Sequence, residues 1–336
     1  MEASGLGRDS ITIRDVALHA GVSIATVSRA LSRNRPMSPQ LQKKVLASVD
    51  ALGYRPNLVG RALRQKKTST IGLIVPDLEN PFFSALTQEV SRRFSKSGTD
   101  VLVISADNNL ELEFRAVRSF LGRQVDGLVM IPCDEIESGE SVQLASSSVS
   151  TLQLDRFVDG IDLSFVGCDN TAGMNLVINH INEFVDENSH PVIIIGGGGS
   201  TSSGRERLQE LIFHRPRSLV LDGNFSFAWG RQATAEILSK DIRSGTIVTT
   251  ADVIALGVMS ALITNGHSVP MDFRVIGFDD VGVAYLANPT LTTISQPLTD
   301  MADSIFSFMN TVPQSSRIQA RKILGPKLVV RESSPA

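Results

Sequence analysis

Between Ile71 and Phe278, short apolar runs recur, each closed by turn residues and separated from the next by a longer, mixed stretch. The runs are Ile71 to Val75, Val101 to Ile104, Gly127 to Ile131, Leu152 to Leu154, Val192 to Ile195, Leu219 to Leu221, Ile247 to Thr249 and Val275 to Phe278. The stretches between them, such as Phe82 to Ser97 and Ile254 to Ile263, carry apolar residues at helical spacing. Strand and helix in alternation predict parallel sheets, because a parallel pair needs a crossover and the crossover helices cover both faces. A body of about 250 residues is enough for two such sheets. Ligands of folds of this kind bind beyond the carboxyl ends of the strands, so a cleft between two lobes is the expected site.

The region ahead of this body has a different period. Thr12 followed by Asp15 fits a capping box, and Val16, Ala17 and Ala20 recur at helical spacing until Gly21, a left-handed cap. Val22 tucks under the turn. Ser23 then caps a second helix with Val27, Ala30 and Leu31 inward. Ser38 with Pro39 opens a third, lined by Leu41, Val45, Val49 and Leu52 up to Gly53. Helix, tight turn, helix is the shape that enters a major groove, and the outward side of the second helix presents Ile24, Ala25, Ser28 and Arg29. Ile24 and Ala25 suit thymine methyls, and Arg29 suits the two acceptors of a guanine. Ser23, Thr26 and Ser28 suit phosphates, although Ser23 and Thr26 also serve as capping residues. After Tyr54, Pro56 ends any helix and Asn57 caps a short segment, Leu58 to Arg64. Gly60 weakens that segment, which predicts that it orders only when something braces it.

Charge divides at the same place. Residues 1 to 67 hold 12 Lys and Arg against 4 Asp and Glu, a balance of +8, while the remainder of the chain balances at -11. A basic head on an acidic body is what attraction to phosphate favours, since each neutralised phosphate releases condensed counterions.

TIRDVALHAGVSIATVSRAL, followed by LGYRPNLVGRALRQKKTSTIGLIVPDLENPFF, resembles the lactose/galactose repressor (LacI/GalR) family, and VDGLVMIP, VGCDN, VIALGVMSAL, RVIGFDD and LTTISQP extend the resemblance along almost the whole chain. The resemblance implies a helix-turn-helix DNA-binding domain at 11–56, a hinge helix and linker at 57–69, and an effector-binding and dimerisation domain at 70–332. Within that domain it implies an N-subdomain of about 70–158 and 297–322 and a C-subdomain of about 159–296 and 323–332, joined by three crossovers, in the doubly wound form of periplasmic binding proteins. It implies a homodimer on near-palindromic, double-stranded operator DNA. Thr12, Ser23, Ile24, Ala25, Thr26, Ser28, Arg29, Tyr54, Asn57 and Gly60 are its DNA-binding positions. Leu63 matches the hinge leucine that wedges into the minor groove; unaided, the pattern reads Leu63 as packing the linker. It also implies a small-molecule effector, a sugar, polyol, nucleoside or sugar phosphate, facing Phe82, Phe83, Asp155, Arg207, Phe225 and Asp279. By pattern alone, the phenylalanines read as core, the aspartates as helix caps at strand ends and Arg207 as a solvated helix residue.

The chain departs from the family in several places. Gly60 stands where Ala is usual and Ser32 where Asn is usual. The segment from Arg207 to Phe225 is shorter by about a dozen residues, with Glu210 and Leu211 in place of a Gly and an aromatic, which predicts a trimmed helix in the second lobe. Ala251 replaces an Asn that in relatives faces the effector, and ENSHPVIIIGG lacks a Gly-His before its strand. These departures leave open a second reading, a family member with a degenerate cleft that binds DNA without small-molecule control.

A nucleotide-using enzyme is the remote alternative, prompted by Gly196 to Gly199 after an apolar strand. Read as G-x-G-x-x-G, its third position is Thr201 or Ser202, and the chain has no Walker GK[ST], no G-x-S-x-G and no HExxH. No catalytic residue, cofactor or metal is expected. A transport-type sugar-binding protein would need a signal peptide and no basic head. MEASGLGRDS offers no apolar core, Cys133 and Cys168 form no CxxC, and no apolar run reaches membrane length, so a cytoplasmic location at the bacterial nucleoid is expected. RESSPA carries no leucine heptad, which predicts a dimer rather than a tetramer.

Overall fold

The computed structural model describes residues 11–32, 37–55, 67–184, 191–311 and 320–335. It divides into two compact units at Thr68 and Ser69.

The first unit contains α1 (Ile13–Ala20), α2 (Ile24–Ser32) and α3 (Pro39–Leu52). The Asp15 carboxylate accepts from the Thr12 backbone N–H at 2.8 Å and from its hydroxyl at 2.7 Å. These bonds hold the Asp15 carboxyl below the usual carboxylate range. Gly21 closes α1 at φ +59°, where a side chain would be strained, and Val22 N–H returns to the Ala17 carbonyl at 3.0 Å. Ser23 Oγ accepts from Thr26 N–H at 3.1 Å, and Ser38 Oγ accepts from Leu41 N–H at 3.4 Å. Val16, Ala17, Ala20, Val27, Ala30 and Val45 form the buried core, with Leu31, Val49, Leu52 and Tyr54 packed against it. The turn between α1 and α2 is therefore pinned by caps on both sides, which fixes the face that α2 turns outward. Asn57, Gly60 and Leu63 lie outside the described residues.

The second unit is two parallel sheets. The first has the order β11-β5-β4-β3-β1-β2: β1 (Thr70–Val75), β2 (Asp100–Ser105), β3 (Gly127–Met130), β4 (Thr151–Leu154), β5 (Phe165–Cys168) and β11 (Arg321–Leu324). The second has the order β7-β6-β8-β9: β6 (Val192–Gly197), β7 (Leu219–Gly223), β8 (Gly245–Thr249) and β9 (Phe273–Ile276). All neighbouring strands in both sheets are parallel. The intervening helices are α4 (Pro81–Ser95), α5 (Leu110–Gly122), α6 (Gly139–Ser148), α7 (Asn170–Asn182), α8 (Ser202–His214), α9 (Phe227–Ser239), α10 (Asp252–Thr264) and α11 (Leu298–Thr311). The chain leaves the first sheet after β5, returns beyond β10 (Thr293–Ser295) and leaves again after β11. β10 pairs antiparallel with β12 (Lys327–Val329), so two of the crossings brace each other.

One sequence reading is corrected here. The N-subdomain bounds of 158 and 322 stop too early, because β5 and all of β11 hydrogen-bond into the first sheet. The helix after the Gly run, α8, spans thirteen residues. Leu211 on this helix is buried in the core at 1% exposure.

Candidate functional site

In the head, Ile24, Ala25, Ser28 and Arg29 are exposed along one side of α2, with Ser23 exposed at its start and Thr26 half-buried. Ser23 Oγ and Thr26 Oγ1 lie 2.9 Å apart, so the capping role and an outward hydroxyl coexist. Thr12 is exposed at the cap of α1, and Tyr54 is half-buried against the core below α3.

In the body, a cleft of about 760 Å³ opens beyond the carboxyl ends of the strands. Asp77 follows β1, Arg156 follows β4, Gly198 to Thr201 follow β6, and Asn224 to Ser226 follow β7. Cys133, Asp134 and Glu137 line it from the loop after β3. The two lobes are tied at this level by Arg205, whose Nε donates to both Glu135 carboxylate oxygens at 3.0 and 2.8 Å, and by Phe157 N–H donating to Ser202 Oγ at 3.0 Å.

The six effector candidates read from the sequence converge. Phe82, Phe83, Asp155, Arg207, Phe225 and Asp279 surround one point with Asn80, Arg156 and Ser203, leaving about 10 Å³ among them. A single water needs roughly that much. Arg207 is the hub: Nε donates to Asn170 Oδ1 at 2.8 Å, Nη1 to the Thr250 carbonyl at 3.0 Å and to Asp279 Oδ1 at 3.4 Å, and its carbon Cζ lies 3.8 Å from the Phe278 ring centre. It is not the solvated helix residue that its pattern alone allowed. Asp155 sits at φ 60°, a left-handed backbone that a short polar side chain tolerates better than most, and Asp279 at φ 126°, which L side chains rarely adopt. Ala251 is buried at the start of α10 without a side-chain cap. The adjacent Asp252 instead accepts from Val281 N–H at 3.1 Å and Thr293 Oγ1 at 2.5 Å.

Burial pushes the Asp279 carboxyl up to about 7; the Arg207 guanidinium and the Gln296 amide, which donates at 2.7 Å, only partly offset this. Burial likewise raises Asp155 and Asp252. Because the folded value of Asp279 lies above its ordinary 3.8, the fold binds more protons than the unfolded chain between these limits. This group therefore favours the fold below about pH 4, and that contribution fades as pH rises through 7. Asp279→Asn should flatten the pH dependence of thermal unfolding over this window. An unchanged slope would mean that Asp279 is ionised throughout.

Arg156, Asn80, Ser203, Gln296 and the carboxylates of Asp134, Glu137 and Asp222 were not singled out from the sequence. Arg156 had a signal available: it follows Asp155 directly at a strand end, where consecutive side chains reach the same cleft. The Gly run is explained by packing. A side chain on Gly198, which has φ +67°, would meet the Phe225 ring at 2.1 Å.

A capped helix-turn-helix with one exposed recognition face, carried on a two-lobed α/β body with a polar cleft, defines a DNA-binding regulator with a ligand-binding body. Residues 12–57 match the model of bacterial regulatory proteins of the lacI family, and residues 200–334 match that of a periplasmic binding protein-like domain. The chain is 30% identical over 332 residues to a ribose operon repressor of Halalkalibacterium halodurans, covering 96% of this chain and 97% of the relative. It is 29% identical over 331 residues to the transcriptional repressor PurR of Photobacterium profundum, covering 96% and 98%. Among solved structures, the lac repressor dimer bound to operator and the anti-inducer ONPF superposes with a TM-score of 0.82 at 26% identity, covering 98% of this chain and 100% of that one. The chain belongs to the LacI family of bacterial transcription regulators.

Proposed function

We propose that this regulator is a repressor, acting in the cytoplasm at the nucleoid, whose homodimer sets two heads in adjacent major grooves of a near-palindromic operator. The observation that carries this reading is the face of α2: Ile24, Ala25, Ser28 and Arg29 lie outward from a turn that caps fix on both sides. In this reading Thr12, Ser23, Thr26 and Tyr54 position the head on phosphates. The hinge at 57–69 braces on the minor groove, with Asn57 as its cap, Gly60 raising its ordering cost and Leu63 as the wedge. A hydroxylated small molecule in the cleft shifts the relative angle of the lobes through contacts with Phe82, Phe83, Asp155, Arg207, Phe225 and Asp279. Only a difference in its affinity for the two lobe arrangements can drive that shift, and such couplings are typically about 1–3 kcal/mol. The cleft supports binding and regulation rather than catalysis: its glycines accommodate Phe225 and fit no nucleotide fingerprint.

Sedimentation velocity on a duplex carrying a palindrome obtained by in vitro selection tests the assembly. Two chains per duplex, and one per isolated half-site with much weaker binding, are expected. A single chain bound to the full site, or a stable free tetramer at micromolar concentration, would overturn the dimer.

A further inference from the structure

At the deep end of the cleft, the buried donor Arg156 Nε is unmet by the protein, as are two acceptors, Asp155 Oδ1 and Gln296 Oε1. Arg156 is 4% exposed. Its hydrogen bond to the Pro132 carbonyl is long, at 3.4 Å from Nη1. Its Nε has no hydrogen-bond partner, and the closest Asp155 oxygen is 3.9 Å away, an ion-pair distance beyond hydrogen-bond reach. Arg207 differs, since its donors reach Asn170, Thr250 and Asp279. A guanidinium carries five N–H groups, and leaving buried ones unmet is costly. The Phe83 and Phe225 ring centres lie 5.1 and 5.4 Å from Arg156 Cζ, one from each lobe, and hold the group in place within cation–π range.

A second, separate feature faces the same cleft. Gly198 to Thr201 lead into the N-terminus of α8, where Thr201 Oγ1 caps Gly204 N–H at 3.2 Å. The N-terminus of a thirteen-residue helix favours negative charge through the helix dipole. The rest of the lining has the opposite character: Asp77, Asp134, Glu137 and Asp222 supply carboxylate acceptors. These suit the hydroxyl groups of a ligand.

We propose that Arg156, with the N-terminus of α8, holds an oxyanion of a hydroxylated effector, so that the cleft selects a sugar phosphate or sugar acid over a neutral sugar. The rim carboxylates take the hydroxyls and Arg156 forms the paired N–H contacts that a phosphate or carboxylate accepts. This assignment rests on the reading of the cleft as the effector site. It makes Arg156 a specificity determinant.

The test is titration calorimetry of the full chain with a panel of pentoses and hexoses, each offered as the neutral sugar, its phosphate ester and its acid, with inorganic phosphate alongside. The single tryptophan, Trp229, donates from Nε1 to the Gly196 carbonyl at 2.8 Å, so its fluorescence reports whether binding reaches this loop. The proposal expects one anionic member to bind at least tenfold tighter than its neutral counterpart. Arg156→Gln should lose that margin and Arg156→Lys should keep part of it. Whether the ester or the acid leads identifies the oxyanion. Should Arg156→Gln fail to fold, the comparison within the wild-type chain decides alone. Neutral sugars binding as well as their anions, or an anion margin unchanged in Arg156→Gln, would overturn the assignment while the cleft stands as a sensor. No binding by any member would overturn both.

Discussion

Arg207→Met should destabilise the body by about 3–5 kcal/mol, the range typical when one partner of a buried ion pair is removed. The side chain is 3% exposed and holds Asp279 Oδ1 at 3.4 Å and Asp155 Oδ1 at 4.0 Å, so its loss strands two buried carboxylates. Methionine fills most of the volume, which leaves charge rather than a cavity as the main cost. The loss should be smaller at pH 5 than at pH 8, because Asp279, already pushed up to about 7 by burial, escapes part of the penalty by taking a proton. Urea unfolding at the two pH values measures this. A loss below about 1 kcal/mol at pH 8 would mean that the aspartates find other partners and that Arg207 is no hub.

Arg29→Ala should weaken operator binding by about 1–3 kcal/mol and relax preference at one base pair per half-site, the expected cost of losing a bidentate arginine–guanine contact. The head should stay folded, because Arg29 is exposed on α2 while the core rests on Val16, Val27 and Val45. Binding of every single-base operator variant would be compared for the two proteins. Equal weakening on all sequences would make Arg29 a phosphate contact instead.

What the sequence made readable follows from local physics. Thr12, Gly21, Ser23, Ser38 and Gly53 each mark a helix end by a mechanism that acts within a few residues, and each end lies where those residues put it. The β-strands of the lobe cores were readable for the same reason, as apolar runs too short for helices. β5 and β11 were not. Phe165–Cys168 includes a glycine, and Arg321–Leu324 is largely exposed with two basic residues, so neither resembles a buried strand. Their place is set by pairing with each other across more than 150 residues, from Phe165 beside Arg321 to Cys168 beside Leu324. A pairing of that range leaves no local signal from which to read the subdomain bounds.

The site divides in the same manner. Asp155 and Asp279 stand at the ends of recognisable strands, and the family pattern supplied the rest of the set. Nothing in the chain's periodicity shows that Phe83 and Phe225, from different lobes, flank Arg156, because that depends on the closure of one lobe against the other. Ala251 in place of an Asn predicts a weakened cleft. The structure shows a well-lined one, with Arg156, Asp134 and Asp222 contributing groups that no local motif announces.

Sequence-specific binding through the head is measured by fluorescence anisotropy of the full chain on its selected palindrome and on a scrambled duplex at one fixed, physiological salt concentration. An affinity ratio of about 10³ or more between the two is expected, with the weaker binding falling steeply as salt is raised. Equal affinity for both duplexes would reduce the head to a general phosphate binder and contradict the role given to α2.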